Sequence, residues 1–242
     1  MTTRDTKVRQ LPLDLPAAAA MQREDFLGAP GNAAALKLID SFPDWTARVV
    51  CLVGPAGTGK SHLARVFAAH SGARTVFARD LVRAGVPEAL ADGALVVEDL
   101  VPGEFDEAAL FHLLNLARET QAYVLMTARS MPSAWKLNTA DLASRLRALP
   151  TFEILEADDP LLAAVLVKLF ADRQISVDDT TVQFLLRRME RTVEGAQTVV
   201  EAIDRAALAA HRPVTRTLAA QVLRELMPDE DDGENGDEED EG

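Results

Sequence analysis

The residues Gly54-Pro55-Ala56-Gly57-Thr58-Gly59-Lys60-Ser61 match the pattern G-x-x-x-x-G-K-[ST], a spacing suited to gripping a polyphosphate. Glycines let the backbone bend around phosphate oxygens and present several N–H groups to them, and the N-terminus of a following helix adds partial positive charge. Lys60 is placed to reach the outer phosphates, and the Ser61 hydroxyl is placed to ligate Mg²⁺. The same residues could form a plain glycine turn beside a surface lysine. The flanks favour the phosphate loop: Val49–Val53 is an apolar, β-branched run of strand length, and His62–Ala69 reads as helix.

A second candidate for chemistry is Glu98-Asp99, which ends the apolar run Ala94-Leu95-Val96-Val97. Downstream of a phosphate loop, one carboxylate at such a strand end holds Mg²⁺ through water and a second polarises the attacking water. Glu98 is the metal candidate and Asp99 the catalytic one. Further strands are predicted over Thr75–Ala78, Tyr123–Thr127 and Thr151–Leu155, with helices over Ala33–Ser41 and Phe105–Thr120. Asn32 is the expected N-cap of the helix at Ala33. Strands alternating with helices imply a parallel sheet covered on both faces, with ligands bound beyond the carboxyl ends of its strands, where Gly54, Glu98 and Thr127 lie. After Leu155 the pattern becomes helical only, with apolar spacing over Leu161–Arg173, Asp179–Glu190, Val193–Ala210 and Arg216–Leu226. The expected class is therefore α/β, followed by a small all-helical lid.

The net charge of −13 is concentrated at one end of the chain. Residues 228–242 hold ten of the 38 acids and no Lys or Arg, which leaves 28 acids against 25 bases elsewhere. That tail has no apolar residues to offset its ordering entropy and is expected to be disordered, and it would repel nucleic acid. Cys51 stands alone within the predicted central strand, so no intrachain disulfide can form, and a reducing cytoplasm is expected. His62, His70, His112 and His211 lack ligand spacing for zinc. No run of 18 apolar residues marks a membrane span. Near the start, Gln10-Leu11-Pro12-Leu13-Asp14-Leu15-Pro16 alternates leucines between prolines that bias it away from helix. Its leucines either pack back onto the domain or anchor the chain in a partner's pocket.

These motifs, in this order, resemble the AAA+ ATPases, and within them the DnaA-related proteins of the Hda type, over roughly residues 22–227. Phe26-Leu27-Gly28-Ala29-Pro30-Gly31-Asn32 is similar to the family segment that contacts adenine. Gly54–Ser61 with His62-Leu63 resembles Walker A and the start of its helix, and Val96-Val97-Glu98-Asp99 stands at Walker B. Tyr123–Pro132 resembles the sensor 1 strand, Asp141–Leu146 the arginine-finger stretch with Arg145 as the finger, and Arg191–Ala196 the sensor 2 helix with Arg191 as its arginine. Gln10-Leu11-Pro12-Leu13-Asp14-Leu15 is similar to the Gln-Leu-x-Leu-x-Leu peptide that binds the replication sliding clamp, and this favours the partner-anchor reading for Gln10, Leu11, Leu13 and Leu15.

The resemblance implies ADP or ATP with Mg²⁺ as ligands, held by Leu27, Pro55, Gly57, Thr58, Gly59, Lys60, Ser61, His62 and Arg191, with Ser61 and Glu98 at the metal. It implies a layout of an N-terminal clamp-binding segment (1–21), an AAA+ α/β domain (22–156), a helical lid (157–227) and the acidic tail (228–242). The implied function is regulatory: bound to the clamp, the chain stimulates ATP hydrolysis by the DnaA initiator by offering Arg145 to the initiator's nucleotide, and so prevents re-initiation. Self-association through the AAA+ face is also implied, and sequence-specific DNA binding is not. Two departures from the family bear on the chain's own turnover: Glu98-Asp99 replaces Asp-Asp or Asp-Glu, and Ala128-Arg129 replaces the sensor 1 polar residue. Both favour a nucleotide-holding regulator. The competing reading is an autonomous AAA+ ATPase that works as a loader or remodelling motor.

Overall fold

The alternation of side chains along a strand sends successive residues to opposite faces, and the apolar run at residues 49–53 fills both. The computed structural model of the protein describes residues 22–226. In chain order its elements are α1 (Ala33–Asp40), β1 (Val49–Val53), α2 (Lys60–Ser71), β2 (Arg74–Phe77), α3 (Val86–Ala89), β3 (Ala94–Leu100), α4 (Glu107–Thr120), β4 (Tyr123–Ala128), α5 (Ala140–Arg147), β5 (Thr151–Glu153), α6 (Asp159–Asp172), α7 (Asp179–Leu186), α8 (Val193–Ala210) and α9 (Arg216–Leu226). The strands form a five-stranded sheet in the order β2-β3-β4-β1-β5, with every pairing parallel. The leucine island at residues 10–15 and the acidic tail lie outside the described residues.

Cys51 and Val53 of β1 point to the same side as Leu95, Val97, Val124 and Met126, and pack under Leu110, Leu113 and Leu114 of α4 and Leu142 and Leu146 of α5. Val50 and Leu52 face the other way with Val96 and Leu125, against Leu63 and Phe67 of α2 and Leu38 and Ile39 of α1. Burial pushes the Cys51 thiol up to about 12, so it is inert at neutral pH. A third core belongs to α6–α9, where Leu162, Leu166, Phe170, Leu185, Val200, Ile203 and Leu223 meet, and Leu27 from the N-terminal side packs against it.

Side-chain caps set where several helices begin. Asp106 accepts from the N–H groups of Ala108 and Ala109 (2.8 and 3.2 Å), Asp158 from Leu161 (3.0 Å), Asp178 from Thr181 (2.7 Å) and Thr192 from Gly195 (2.8 Å). Each such cap contributes about 1 kcal/mol. The helix expected over Phe105–Thr120 therefore starts after Asp106. The one expected over Asp179–Glu190 stops at Leu186, beyond which Arg187 and Arg188 form a turn. Asn32 does stand at the N-cap of α1 but its side chain accepts nothing from the first turn: its oxygen accepts from Ala29 N–H (2.8 Å) and its nitrogen donates to the Leu27 carbonyl (3.0 Å). The nearer demand won, because the Leu27–Ala29 loop has its own backbone groups to satisfy and Asn32 is buried among them.

The short 3₁₀ turn Arg23–Asp25 ties three parts of the chain together. Arg23 pairs with Asp40 at the end of α1, Asp25 pairs with Lys168 of α6 at 2.7 Å, and the Gln22 carbonyl meets His62 Nε2 at 2.8 Å.

Two outcomes follow from this packing. Phe170→Ala is expected to lower the unfolding free energy of the helical region by about 3–5 kcal/mol, whereas Val167→Ala on the exposed face of the same helix stays within about 0.5 kcal/mol of wild type, both read by urea denaturation. Hydrogen bonds to Arg23 hold the Asp40 carboxyl below its usual range, the Asn138 N–H does so for Glu107, and Thr181 does so for Asp178. Groups depressed in the folded state lend stability that is complete above the ordinary carboxylate pKa of about 4 and is lost as pH falls through their lower folded values. Thermal melts are therefore expected to hold steady down to about pH 5 and to drop steeply below about pH 4.

Candidate functional site

The loop from Gly54 to Gly59 leaves β1 and turns into α2 through two left-handed residues, Gly57 (φ 72°) and Gly59 (φ 94°). A side chain has no room at three of its positions. A Cβ on Gly54 would collide with the Ile154 carbonyl oxygen, one on Gly57 would lie 2.9 Å from Thr192 Cβ, and one on Gly59 would lie 2.8 Å from the Phe26 ring. The loop is thus enclosed by the residue after β5, by the N-cap of α8 and by the N-terminal segment. Within it, Thr58 Oγ1 donates to the Pro55 carbonyl at 3.0 Å. Lys60 Nζ donates to the same carbonyl and lies 3.4 Å from Thr58 Oγ1. Burial holds the Lys60 ammonium below its usual pKa, and the nearby Arg129 adds to this, while Asp99 and Glu98 oppose it. No side chain caps the start of α2. Its first-turn amides and the Lys60 charge are what an anionic oxygen would meet here.

Ser61, in the first turn of α2, donates its hydroxyl to Glu98 Oε2. Glu98 is only 8% exposed. A hydroxyl and a carboxylate brought together offer hard oxygen ligands of the kind Mg²⁺ takes when substrate phosphates complete its shell. Among the described residues no group of three or more His, Cys, Asp or Glu forms a cage for a metal, so the metal expected at Ser61 and Glu98 would depend on a bound polyphosphate for further ligands. One residue on, Asp99 takes a left-handed conformation (φ 59°) where the β3–β4 ladder shifts register between Val97 and Leu100. The buried Thr127 hydroxyl accepts the Asp99 N–H at 2.9 Å, and Arg129 Nε lies 3.4 Å from Asp99 Oδ1. Thr127, the penultimate residue of β4, thus stands directly before the Ala128-Arg129 pair.

The remaining predicted ligands divide into two groups. Arg191 lines a cavity of about 220 Å³ with Ala56, Gly57, Thr58, Glu156, Ala157 and Thr192, between the glycine loop and the helical region, and it pairs with Asp159. Pro55 is within the loop, its carbonyl accepting from Thr58 and Lys60, while Leu27 packs against the helical core. His62 points elsewhere: it holds the Gln22 carbonyl and meets the Phe26 ring edge-to-face at 5.4 Å. Its place is to position the N-terminal segment over the loop. Arg145 makes its described contacts on α4, away from the glycine loop. It donates to Asn115 Oδ1 at 2.7 Å and its guanidinium sits 4.7 Å from the Phe111 ring centroid. Gln10, Leu11, Leu13 and Leu15 lie outside the described residues. The sequence placed Phe26 in the adenine-like segment, Thr127 at a strand's carboxyl end and Thr192 in the stretch that begins at Arg191, but gave none of the three its contact in the site. Thr192 carried a usable signal, a threonine directly before an apolar helical run; Phe26 and Thr127 reach the site only through packing between elements distant in sequence.

Residues 159–223 match the family model described as the lid domain of Hda. An uncharacterized protein of Haemophilus influenzae is 26% identical over 231 residues, which covers 89% of this chain and 98% of that protein. Domain III of the replication initiation protein DnaA from Thermotoga maritima superposes with a TM-score of 0.68 at 14% identity, over 87% of this chain and 97% of that one. AMPPCP-bound DnaA from Aquifex aeolicus gives a TM-score of 0.63 at 18% identity, over 78% of this chain and 65% of that one. At these identities the structural likeness speaks for the fold. The parallel sheet, the glycine loop at the carboxyl end of β1 and the matched helices agree with it: the fold is like that of DnaA domain III, and residues 159–223 match the Hda lid model.

Proposed function

We propose that this DnaA-related chain is a nucleotide-holding regulator that binds the replication sliding clamp through Gln10, Leu11, Leu13 and Leu15 and stimulates ATP hydrolysis by the DnaA initiator. The observation that carries the reading is the Hda-type lid closing over a glycine loop whose residues Gly57, Lys60 and Ser61 are arranged for phosphates. In this reading ADP or ATP lies in that loop with Arg191 beside it, and Mg²⁺ is held by Ser61 and Glu98. The nucleotide acts mainly to set the lid against the α/β layer, since Gly57 and Thr192 are in contact there.

Arg145 is assigned to the initiator's nucleotide. A cation brought to a γ-phosphate stabilises the charge that develops as it leaves, and it does so most when its position is fixed beforehand. The hydrogen bond to Asn115 and the stack on Phe111 supply that fixation while leaving the guanidinium half-buried at the surface of α5. Arginine fingers delivered in trans are worth about 10³–10⁵ in rate. The same AAA+ face is the proposed surface for self-association. No direct sequence-specific DNA binding is assigned, and among the described residues no helix is long and apolar enough to cross a membrane.

The decisive assay measures ATP hydrolysis by DnaA with and without this protein and with and without clamp loaded on DNA; stimulation that requires the loaded clamp is expected. Arg145→Ala should cut that stimulation by about 10³-fold or more while ADP binding and clamp binding persist; retained stimulation would remove Arg145 from its role. Arg191→Ala should weaken ADP binding about tenfold or more, as loss of a charge-assisted hydrogen bond does; calorimetric titration reads this, and an unchanged affinity counts against the assignment. Replacing Gln10, Leu11 and Leu13 together by Ala should abolish clamp capture in a pull-down with the melting temperature unchanged; persistent capture would return those leucines to the chain's own packing.

A further inference from the structure

The ends of β3 and β4 hold an ion pair that the regulatory function does not use. Asp99 stands at the position of the water-polarising carboxylate, and Arg129 Nε lies 3.4 Å from its Oδ1. We propose that Arg129 is a positioning residue that engages the Asp99 carboxylate and thereby keeps this chain from hydrolysing the nucleotide it holds. The inference rests on the reading that the glycine loop binds nucleotide and extends it to what becomes of that nucleotide.

Hydrolysis joins a water oxygen to the terminal phosphorus and breaks the bond from that phosphorus to its bridging oxygen, giving nucleoside diphosphate and phosphate. The proton that water gives up needs an acceptor, and a carboxylate serves only when an oxygen is free to face the water. Three features of this strand end restrict that freedom. The Asp99 backbone is left-handed, a conformation that reorients the side chain relative to its neighbours in β3. The Thr127 hydroxyl locks it there by accepting the Asp99 N–H. The Arg129 guanidinium then stands over Oδ1, with Nε 3.4 Å away, and pairs with the carboxylate charge. The charges around the loop agree with this: the cations Lys60 and Arg129 stand against the carboxylates Glu98 and Asp99, with Glu98 committed to the Ser61 hydroxyl. The negative charge of Asp99 is thus already matched within the chain.

The pair contributes little to stability, because Arg129 is 63% and Asp99 40% exposed. Substitution at Arg129 is therefore expected to leave the fold intact, as a circular dichroism melt would verify. The test uses the full chain with saturating ATP and Mg²⁺, and single-turnover phosphate release as readout. Arg129→Asn is expected to raise the hydrolysis rate about tenfold or more, a part of the 10²–10⁴-fold that a positioned base supplies. Arg129→Gln should do the same, Arg129→Lys should keep the rate low because a cation remains, and Arg129→Asn combined with Asp99→Asn should cancel the rise. A merely structural role for Arg129 would lower the rate or leave it unchanged. Rates at or below wild type in both neutral variants overturn the proposal, and so does a rise that survives loss of the Asp99 carboxylate. Binding of a fluorescent ATP analogue, measured on the same samples, separates the two levels: wild-type binding without a gain in rate sinks only the Arg129 role, whereas absence of binding by wild type sinks the nucleotide reading with it.

Discussion

The structure depends on backbone that tolerates no side chain. At Gly54, Gly57 and Gly59 the phosphate loop is pressed by three separate parts of the chain: the Ile154 carbonyl after β5, Thr192 at the start of α8 and the Phe26 ring ahead of α1. Gly57 and Gly59 also need left-handed φ, which a side chain would strain. One turn of backbone is therefore the place where the N-terminal segment, the sheet and the helical region touch. In the proposed reading, whatever fills the loop touches all three, and so couples a ligand to the junction of the helical core with the sheet. The Arg23–Asp40 and Asp25–Lys168 pairs reinforce the same junction from the N-terminal side.

Electrostatics divides the site into a part that holds and a part that is restrained. Lys60, the α2 amides, Ser61 and Glu98 form the holding part, and each has geometry suited to phosphate oxygens or to a metal among them. Asp99, Thr127 and Arg129 form the other part, in which the carboxylate proposed to handle water is turned by its backbone and met by a cation. Arg145 sits on α5, fixed against α4, with no contact to either part. In the proposed reading, a nucleotide in the loop serves as structure, while the charge of Arg145 stands elsewhere on the surface.

Much of this was legible from residue order. The glycine loop, the strand before it and the carboxylates after Val97 identify the α/β half, because a buried parallel strand is continuous apolar sequence and its end is where polar residues return. The four helical stretches after Leu155 are likewise present as α6–α9. Local signals failed where a side chain answers to a distant partner. Asn32 has the composition of a helix cap, yet it serves the Leu27–Ala29 backbone. His62 follows the phosphate-loop serine, yet it faces the N-terminal segment. The register shift at Asp99 and the role of Thr127 depend on how β3 and β4 lie against each other, and neither strand alone encodes that.

The central claim is that one bound nucleotide grips the loop and, through it, the elements that enclose it. Hydrogen–deuterium exchange on the full-length protein, with and without ADP, addresses this directly. Protection is predicted to rise together over residues 26–29, 54–61 and 191–196. Protection confined to the loop, or none at any of the three, would contradict the account.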